Sequence, residues 1–460
     1  MNKVIFILIL SLGGLALAQQ ISQKLQIETQ KMLNSASMLA ANLSFYVADE
    51  NGDMVYEYQG NKGLSPASTQ KIFTAIAALD KLGPSFRFTT QASYSGQILK
   101  EGKLKGNLYI TSNGDPTLGS WRYEGYKPED FKTKLLQALH EKGIKSIEGD
   151  LILDDSYFDM QTTPGGWPWN DIGNYYGAGV WGISWNENQF DIHMAGGRSI
   201  KNFKYGPINL DWVNEVKAEG NRDHSIIYTA PFSPVGLIYG KLPPGKASVI
   251  SGALPNPPLV LGYEIKKWLS QKGILLNGNL LTYHSEQIKG HQLVRTPKNH
   301  IFFEYHSPSL DKIIFWFLRK SVNLYGETLL KTFSKLQSED ASFDGGVQEM
   351  KRYWLGKGIP GAMLNFIDGS GLSPQNYVSA KAEVQALLYA KKQSWFNVFY
   401  TALPTYNGMK MKSGTIKSSK AYTGYHQSKT GKKYVFSMIV NNYAGGNINS
   451  LMFKVLDALK

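Results

Sequence analysis

The chain contains no cysteine, so it can form no disulfide and carry no lipid attached to a cysteine. Thiols therefore give no information on its redox compartment. Its eight histidines are scattered, without an H-E-x-x-H motif or paired spacing, so we predict no metal site and no cofactor. Beyond the N-terminus no stretch is long and apolar enough to cross a bilayer, and the chain has neither an internal repeat nor a nucleic-acid-binding motif.

The N-terminus has the pattern of a secretory signal peptide. Lys3 precedes the apolar stretch from Val4 to Leu17, and Ala16-Leu17-Ala18 forms an A-x-A cleavage site before Gln19. The apolar stretch is short for a membrane anchor, so we predict a signal peptide over residues 1–18 and an exported, soluble, periplasmic or otherwise extracytoplasmic protein. The formal charge of +13 would suit peripheral contact with a membrane or with an anionic wall polymer, although it would also serve solubility. Because the protein is exported, we expect no nucleic-acid partner.

Three short motifs occur in an order that fits one mechanism. They read S-x-x-K, S-x-N and K-[TS]-G, and they are Ser68-Thr69-Gln70-Lys71, Ser321-Val322-Asn323 and Lys412-Ser413-Gly414. A serine hydroxyl needs a base within hydrogen-bond reach to act as a nucleophile. A spacing of three on a helix puts Ser68 and Lys71 on one face. Burial and cationic neighbours can lower the pKa of a lysine until it accepts that proton.

Each motif also occurs a second time, and the local pattern decides between the copies. The second K-T-G lies between two strand-like runs and reads as a hairpin turn, whereas residues 409–417 alternate as a strand should. The second S-x-x-K lies too close to Ser321 to leave a separate element for the second motif. We therefore select Ser68 and Lys412. The second copies are Ser309 to Lys312, Ser184 to Asn186 and Lys429 to Gly431.

The segment around Ser68 is predicted to be a buried helix. Ser65 can cap its N-terminus, Pro66 suits its first position, and Gly83 with Pro84 ends it. The nucleophile would then lie in the first turn, where free backbone N–H groups help to stabilise an oxyanion.

Strands near both chain ends predict an α/β sandwich assembled from the two termini. Residues 42–48 and 54–58 form a hairpin pattern around Asn51-Gly52, and strands near Lys412 precede a final helix over 449–459.

The long stretch between the first two motifs differs from both ends of the chain, because short β-like runs such as 108–111 and 150–153 are broken there by Gly and Pro. We predict a catalytic domain from residues 19–90 plus 293–460, with an inserted β-rich region over 91–292.

Several longer segments match one family. With all three motifs, the sequence resembles the serine D-Ala-D-Ala carboxypeptidase/endopeptidases of the penicillin-binding protein 4 type, which are class C low-molecular-mass penicillin-binding proteins. The resemblance implies a β-lactamase-like sandwich with an insertion of two nested smaller domains. It extends over Asn113 to Leu118, Asp154 to Phe158, Gly166 to Asp171, Lys320 to Tyr325 and Asp368 to Ser373.

The resemblance assigns the roles of the first two motifs. It implies that Ser68 is the nucleophile and that Lys71 is the base that takes its proton. Ser321 would relay a proton to the leaving D-Ala amine, and Asn323 would bind the substrate backbone and Lys71.

The third motif is expected to bind the substrate carboxylate. Lys412 would supply positive charge near it, and Ser413 would donate a hydrogen bond to it, on the strand that continues through Gly414. The backbone N–H groups of Ser68 and Thr415 would form the oxyanion hole.

The expected partners are peptidoglycan stem peptides, with β-lactam antibiotics as covalent inhibitors. In relatives that recognise a diaminopimelate side chain, an Asp of the insertion holds its ammonium and an Arg after the Asp-Gly-Ser-Gly-Leu-Ser run grips its carboxylate. Here Asp154 or Asp155 would supply the Asp, while Pro374 occupies the Arg position. Lys417 or Lys420 is then an alternative cation.

Two other functions fit parts of the pattern. A β-lactamase or esterase on the same fold would turn penicillins over rapidly, but the chain has no evident deacylating Glu motif and is far too long. A wall-binding or β-lactam-sensing protein without turnover would be expected to lack a motif residue, and all are present. The balance of carboxypeptidase and endopeptidase activity and the oligomeric state stay open.

Overall fold

The computed structural model describes residues 20–293, 296, 300–338 and 341–460. The predicted signal peptide lies outside these residues. The chain forms two compact units. The first contains the residues up to Pro84 with Ile314–Ser321 and Val347–Lys460, and the second contains Ser85–Ile313 and Val322–Gly346. The boundaries inferred from the sequence, at 90/91 and 292/293, stay a prediction.

The first unit is built on a six-stranded antiparallel sheet that both chain ends share. The N-terminal strand pairs with the last strand from Asn42↔Asn441 to Asp49↔Tyr434, which is the arrangement predicted from the two termini. The strands, in sheet order, are Met54–Tyr58, Asn42–Asp49, Lys433–Asn441, Ser419–Gln427, Met409–Ile416 and Thr405–Tyr406.

Helices cover both faces of this sheet, so its central strands are buried on both sides. Alternate side chains such as Phe45 and Phe436 pack in a core with Leu25, from the helix over residues 20–33, and with Met452. On the opposite face Ser44 accepts a hydrogen bond from the backbone N–H of Ala380, at the start of the next covering helix. The other helices that lie wholly within this unit are Lys71–Leu82, Ala380–Lys391, Phe396–Ala402 and Ile448–Leu456.

A smaller sheet and several short turns complete the first unit. Two further helices, Leu310–Arg319 and Phe343–Gly356, each run across a boundary between the two units. The small sheet has the order Leu364–Asn365, Tyr377–Ser379 and Gly63–Leu64. The 3-10 turns are Ala36–Met38, Ala67–Gln70, Gly361–Met363 and Asp457–Leu459.

The second unit is rich in short strands, as the sequence predicted, and also contains helices. Its five-stranded sheet has the order Leu280–Thr282, Leu151–Asp154, Leu108–Ser112, Thr89–Tyr94 and Ile301–His306, and its four-stranded sheet has the order Leu275–Leu276, Ser146–Ile147, Lys103–Lys105 and Gln97–Ile98. Its helices are Pro128–Glu141, Trp169–Ile172, Pro257–Gln271, Tyr283–Ile288 and Asn323–Gln337, with 3-10 turns at Tyr175–Gly177 and Asn186–Asn188.

Residues 189–253 of this unit form two sheets of their own. The first has the order Ser199–Lys204, Gln189–Ala195 and Ser248–Ala253, and the second has the order Asp211–Ala218, Val235–Leu242 and Ile226–Tyr228. One strand before this stretch, Leu151–Asp154, pairs in parallel with a strand after it, Leu280–Thr282. Within the described part of the chain, no helix has both the length and the apolar character needed to cross a membrane.

Candidate active site

Ser68 lies in a tight turn that leads into a helix. The turn Ala67–Gln70 is a 3-10 helix, and the α-helix begins only at Lys71. The prediction that the α-helix starts at Ser65 and Pro66 is wrong, because Ala67 adopts a left-handed φ of 48° that an α-helix cannot contain. The predicted end is confirmed, since Gly83 follows the last helical residue with a φ of 79°.

Lys71 contacts the hydroxyl of Ser68, as the three-residue spacing predicts. Its Nζ donates to Ser68 Oγ at 3.0 Å and to the carbonyl oxygen of Ser370 at 2.7 Å. The side chain of Lys71 is fully buried, and the ring of Phe317 lies 5.8 Å from its Nζ. A lysine amine is therefore held against the hydroxyl of Ser68, away from bulk water.

The Asp368 to Ser373 run forms a turn against Ser68. The carboxylate of Asp368 accepts hydrogen bonds from the backbone N–H groups of Gly371 and Ser373, at 2.7 and 2.6 Å. A Cβ atom on Gly371 would lie 1.9 Å from the carbonyl oxygen of Ala67, so only glycine fits there. This run is a structural element that supplies the Ser370 carbonyl to Lys71.

The third motif lies on the strand Met409–Ile416, whose backbone approaches the nucleophile turn. A Cβ atom on Gly414 would lie 2.3 Å from the carbonyl oxygen of Pro66 and 3.0 Å from the backbone nitrogen of Ser68. Lys412 is 2 % exposed, and its Nζ donates to the carbonyl oxygen of Ser413 at 2.7 Å. Ser413 and Thr415 continue this strand, which brings the whole motif beside Ser68.

Three buried lysine amines lie in this part of the first unit. Burial lowers the pKa of Lys412 well below its usual value, and the charges of Lys71 and Lys420 lower it further. Burial also lowers the pKa of Lys420, whose Nζ donates to Thr415 Oγ1 at 2.7 Å. Three amines share one region, so a carboxylate brought there would favour their protonated forms.

The two named residues of the second motif fall in different units. Ser321 belongs to the first unit, adopts a left-handed φ of 58° and follows the helix that contains Phe317. Asn323 belongs to the second unit, where it begins the helix Asn323–Gln337. Its Nδ2 donates to the carbonyl oxygen of Tyr176 at 2.8 Å.

The second copies of the motifs have structural roles. The hydroxyl of Ser309 donates to the carboxylate of Asp311. Ser184 accepts a hydrogen bond from the side chain of Asn188. Gly431 adopts a φ of 84° in the turn between two strands, which confirms the predicted hairpin.

Asp154 and Asp155 both have partners inside the second unit. Asp154 accepts hydrogen bonds from the hydroxyls of Ser156 and Thr296, each at 2.6 Å. Asp155 is fully buried, and one of its carboxylate oxygens lies 3.3 Å from the Nδ1 of His284. Their contact with a substrate side chain stays a prediction.

A different carboxylate, that of Asp171, is hydrogen-bonded to the same tyrosine as Asn323. Tyr176, whose carbonyl oxygen accepts from Asn323, donates its phenol hydroxyl to Asp171 at 3.1 Å. Asp171 is half-buried, and burial raises its pKa. Asp171 was not among the residues predicted from the sequence, although the segment Gly166 to Asp171 was one of those that matched the family.

Comparisons with known proteins show the family of the chain. A family model described as the D-Ala-D-Ala carboxypeptidase 3 (S13) family matches residues 25–459. The D-alanyl-D-alanine carboxypeptidase DacB of Haemophilus influenzae is 26% identical over 444 residues, covering 89% of this chain and 87% of that protein.

Comparison with solved structures shows a similar fold. The crystal structure of penicillin binding protein 4 from Haemophilus influenzae superposes with a TM-score of 0.76 at 23% identity, covering 95% of this chain and 98% of that chain. The structure of the same protein complexed with a β-lactam has a TM-score of 0.72 at 22% identity, covering 94% and 98%. The predicted α/β fold, family and enzyme class are confirmed, and the chain belongs to the D-Ala-D-Ala carboxypeptidase 3 (S13) family of serine peptidases.

Proposed function

We propose that this D-Ala-D-Ala carboxypeptidase acts on peptidoglycan stem peptides through an acyl-enzyme formed on Ser68. The observation that carries the proposal is the 3.0 Å hydrogen bond between Lys71 Nζ and Ser68 Oγ in a buried setting. A hydroxyl becomes a useful nucleophile when a base at this distance takes its proton during attack.

In the acylation step, the oxygen of Ser68 bonds to the carbonyl carbon of the penultimate D-Ala while the amine of Lys71 takes the hydroxyl proton. Lys71 must be neutral at that moment. The charge of Lys71 lowers the pKa of Lys412, so the two amines repel each other when both carry a proton. The backbone N–H groups of Ser68 and Thr415 are proposed to stabilise the oxyanion, and the close approach of Gly414 to Ser68 supports this pairing.

In the next step the C–N bond to the terminal D-Ala breaks, and the proton that Lys71 took is relayed through Ser321 to the leaving amine. Lys412 attracts the carboxylate of that D-Ala, and Ser413 donates a hydrogen bond to it. Asn323 binds the substrate backbone. Water then attacks the ester, which releases the shortened peptide as a carboxylate and restores the hydroxyl of Ser68.

The same nucleophile would open the amide of a β-lactam ring and remain acylated. The complex of the Haemophilus influenzae protein with a β-lactam supports this part of the proposal. Cleavage of cross-linked stem peptides, an endopeptidase reaction, requires the same bond chemistry at a D-alanyl amide that is not C-terminal. Since the substrate lies in the cell wall, we further propose that the protein is exported, in agreement with the predicted signal peptide.

Labelling with a fluorescent penicillin, combined with an assay for D-Ala release, tests the proposal. We expect the wild-type protein to label and to release D-Ala, and Ser68→Ala to do neither while remaining folded. Ser309→Ala is the matched control, because it removes the serine of the second S-x-x-K copy, and we expect it to keep both activities. Label that persists in Ser68→Ala would contradict the choice of nucleophile. Rapid penicillin hydrolysis without D-Ala release would indicate a β-lactamase instead.

A further inference from the structure

A buried turn of the second unit has an unusual backbone. Asn186, Glu187 and Asn188 adopt left-handed φ values of 52°, 52° and 53°. Each such residue other than glycine costs about 1–2 kcal/mol relative to the right-handed conformation. Three in succession persist only where the surrounding structure enforces them, and strain of this kind concentrates at functional sites.

The two asparagine side chains and a neighbouring tryptophan hold this turn. Asn188 accepts a hydrogen bond from the backbone N–H of Trp185 at 3.0 Å and donates to the carbonyl oxygen of Gly179 at 2.8 Å. Asn186 donates from its side chain to the carbonyl oxygen of Gln189 at 2.9 Å. A Cβ atom on Gly119 would lie only 2.6 Å from the ring of Trp185, so this ring packs directly against the glycine. The turn is therefore fixed on several sides.

The turn fixes the position of the Glu187 carboxylate. Glu187 is 4 % exposed, and its Oε1 accepts hydrogen bonds from the hydroxyls of Ser120 and Tyr325, both at 2.6 Å. The Nε of Arg122 donates to both oxygens of this carboxylate, at 2.9 and 3.0 Å. Burial raises the pKa of Tyr325 well above its usual value and the charge of Glu187 raises it further, so Tyr325 remains a donor.

Tyr325 lies in the first turn of the helix that begins with Asn323. Side chains two positions apart on a helix point about 200° apart around its axis. Asn323 is bonded to the carbonyl oxygen of Tyr176 on one side, and Tyr325 is bonded to Glu187 on another. Val322, which precedes the helix, provides no side-chain cap. Two anchors in different directions prevent the start of the helix from rotating.

We propose that Glu187 is a positioning residue for the second motif, because through Tyr325 it fixes the helix rotation that directs the side chain of Asn323. This inference rests on the proposed function, in which Asn323 binds the substrate backbone. The strain of the left-handed turn is then the cost of placing a carboxylate under this helix.

The test compares Glu187→Gln and Tyr325→Phe with the wild-type protein. Glutamine keeps the size of Glu187 but loses the charge that holds Arg122, and phenylalanine removes only the hydroxyl that links the helix to Glu187. Tyr305→Phe is the matched control, because its hydroxyl is also buried in the second unit and has no hydrogen-bond partner among the described residues. We measure the rate of acylation by fluorescent penicillin and divide it by the fraction of protein that is labelled at the end of the reaction. The quotient is the acylation rate per labelled site.

We expect both variants to lower this rate per labelled site by about tenfold or more, since a small misplacement of a substrate-positioning group reduces the rate on this scale. Tyr305→Phe should leave it unchanged. A purely structural role would lower the fraction that labels, or the melting temperature, without changing the rate per site, and that result would overturn the proposal. If Glu187→Gln fails to fold, Tyr325→Phe decides alone, because it leaves the carboxylate and its ion pair in place.

A double-mutant cycle with Asn323→Ala shows whether the effect passes through Asn323. If Glu187 acts by positioning that side chain, adding Tyr325→Phe to Asn323→Ala should cause no further loss of rate. An undiminished loss in that background would contradict the proposal. Failure of the proposed function is distinguishable from both results, because the wild-type protein would then not label, or Ser68→Ala would still label.

Discussion

Gly414 lies so close to the nucleophile turn that a Cβ atom would stand 2.3 Å from the carbonyl oxygen of Pro66. The same atom would lie 3.0 Å from the backbone nitrogen of Ser68, one of the proposed oxyanion donors. The glycine of the third motif is thus required by the distance between the two backbones, and not by a special φ. This relationship explains physically why the motif ends in glycine.

Gly414→Ala should therefore separate the strand from the turn. A methyl group forced into this contact costs about 1–3 kcal/mol of stability. It should also reduce penicillin acylation by about a hundredfold, because displacement of reacting groups by an ångström has effects of that size. Gly446→Ala is the control, since a Cβ atom there meets nothing within 4 Å. Equal acylation rates in the two variants would show that the close approach is unimportant for the reaction.

Lys412→Ala should be severely impaired in D-Ala release, and Lys429→Ala should be nearly silent. Lys412 is buried beside the amine of Lys71, whereas Lys429 is exposed at the hairpin turn. Both changes replace one lysine by alanine, so an effect of losing any lysine side chain would be the same in both. Steady-state D-Ala release measures the difference, and reversed effects would mean that the K-T-G copy is the functional one.

The sequence allowed the sheet and the three motifs to be predicted because their signals are local. The strand alternation, the Asn51-Gly52 hairpin and the Ser68–Lys71 spacing are all read from a few adjacent residues. The left-handed backbone of Ala67 was missed, since an alanine carries no sign that distant segments will force its φ to 48°. The Asn186–Asn188 turn was also missed, although asparagine adopts a left-handed φ more readily than most residues.

The link from Asn323 to Asp171 was missed for a different reason. It passes through the backbone carbonyl of Tyr176, which every residue possesses and no side-chain pattern reveals. Residues 147 positions apart in the chain meet there. Contacts of this kind become visible only when the fold is known.

Glu383 should make the protein less stable as the pH rises through neutrality. Its carboxyl group is fully buried, its Oε2 accepts a hydrogen bond from Ser437 at 2.6 Å, and its Oε1 has no hydrogen-bond partner among the described residues. Burial raises the pKa of Glu383 from 4.5 to about 7, although the hydrogen bond from Ser437 opposes the shift.

The direction of this pH effect follows from the number of protons that the folded and unfolded states bind. Between pH 4.5 and about 7 the folded protein holds a proton on Glu383 that the unfolded chain has lost. The stabilisation is complete below pH 4.5 and disappears as the pH rises through about 7, a loss on the order of 3 kcal/mol. Urea unfolding at pH 5 and pH 8 measures it, and Glu383→Gln should reduce the difference between the two pH values. An unchanged difference in that variant would assign the pH dependence to other groups.

Substrate side-chain recognition can be assigned by comparing three aspartates of the second unit. Asp154 and Asp155 were expected from the sequence to hold the free ammonium of a stem peptide, whereas the structure links Asp171 to Asn323 through Tyr176. We expect Asp171→Asn to raise the KM for a stem peptide with a free side-chain amine by about tenfold, the effect of losing one charge-assisted hydrogen bond. The same peptide with an acetylated amine should show no such change, because it has no ammonium to lose.

Asp154→Asn and Asp155→Asn complete the comparison. If one of these carboxylates contacts the substrate, its variant should show the same selective rise in KM for the free-amine peptide. Asp155→Asn should in addition lower the melting temperature, because Asp155 is fully buried and one of its carboxylate oxygens lies 3.3 Å from the Nδ1 of His284. Penicillin acylation separates the two effects, since penicillin lacks the stem-peptide side chain. A loss of acylation as large as the loss of peptide turnover, in all three variants, would show that none of these aspartates recognises that side chain.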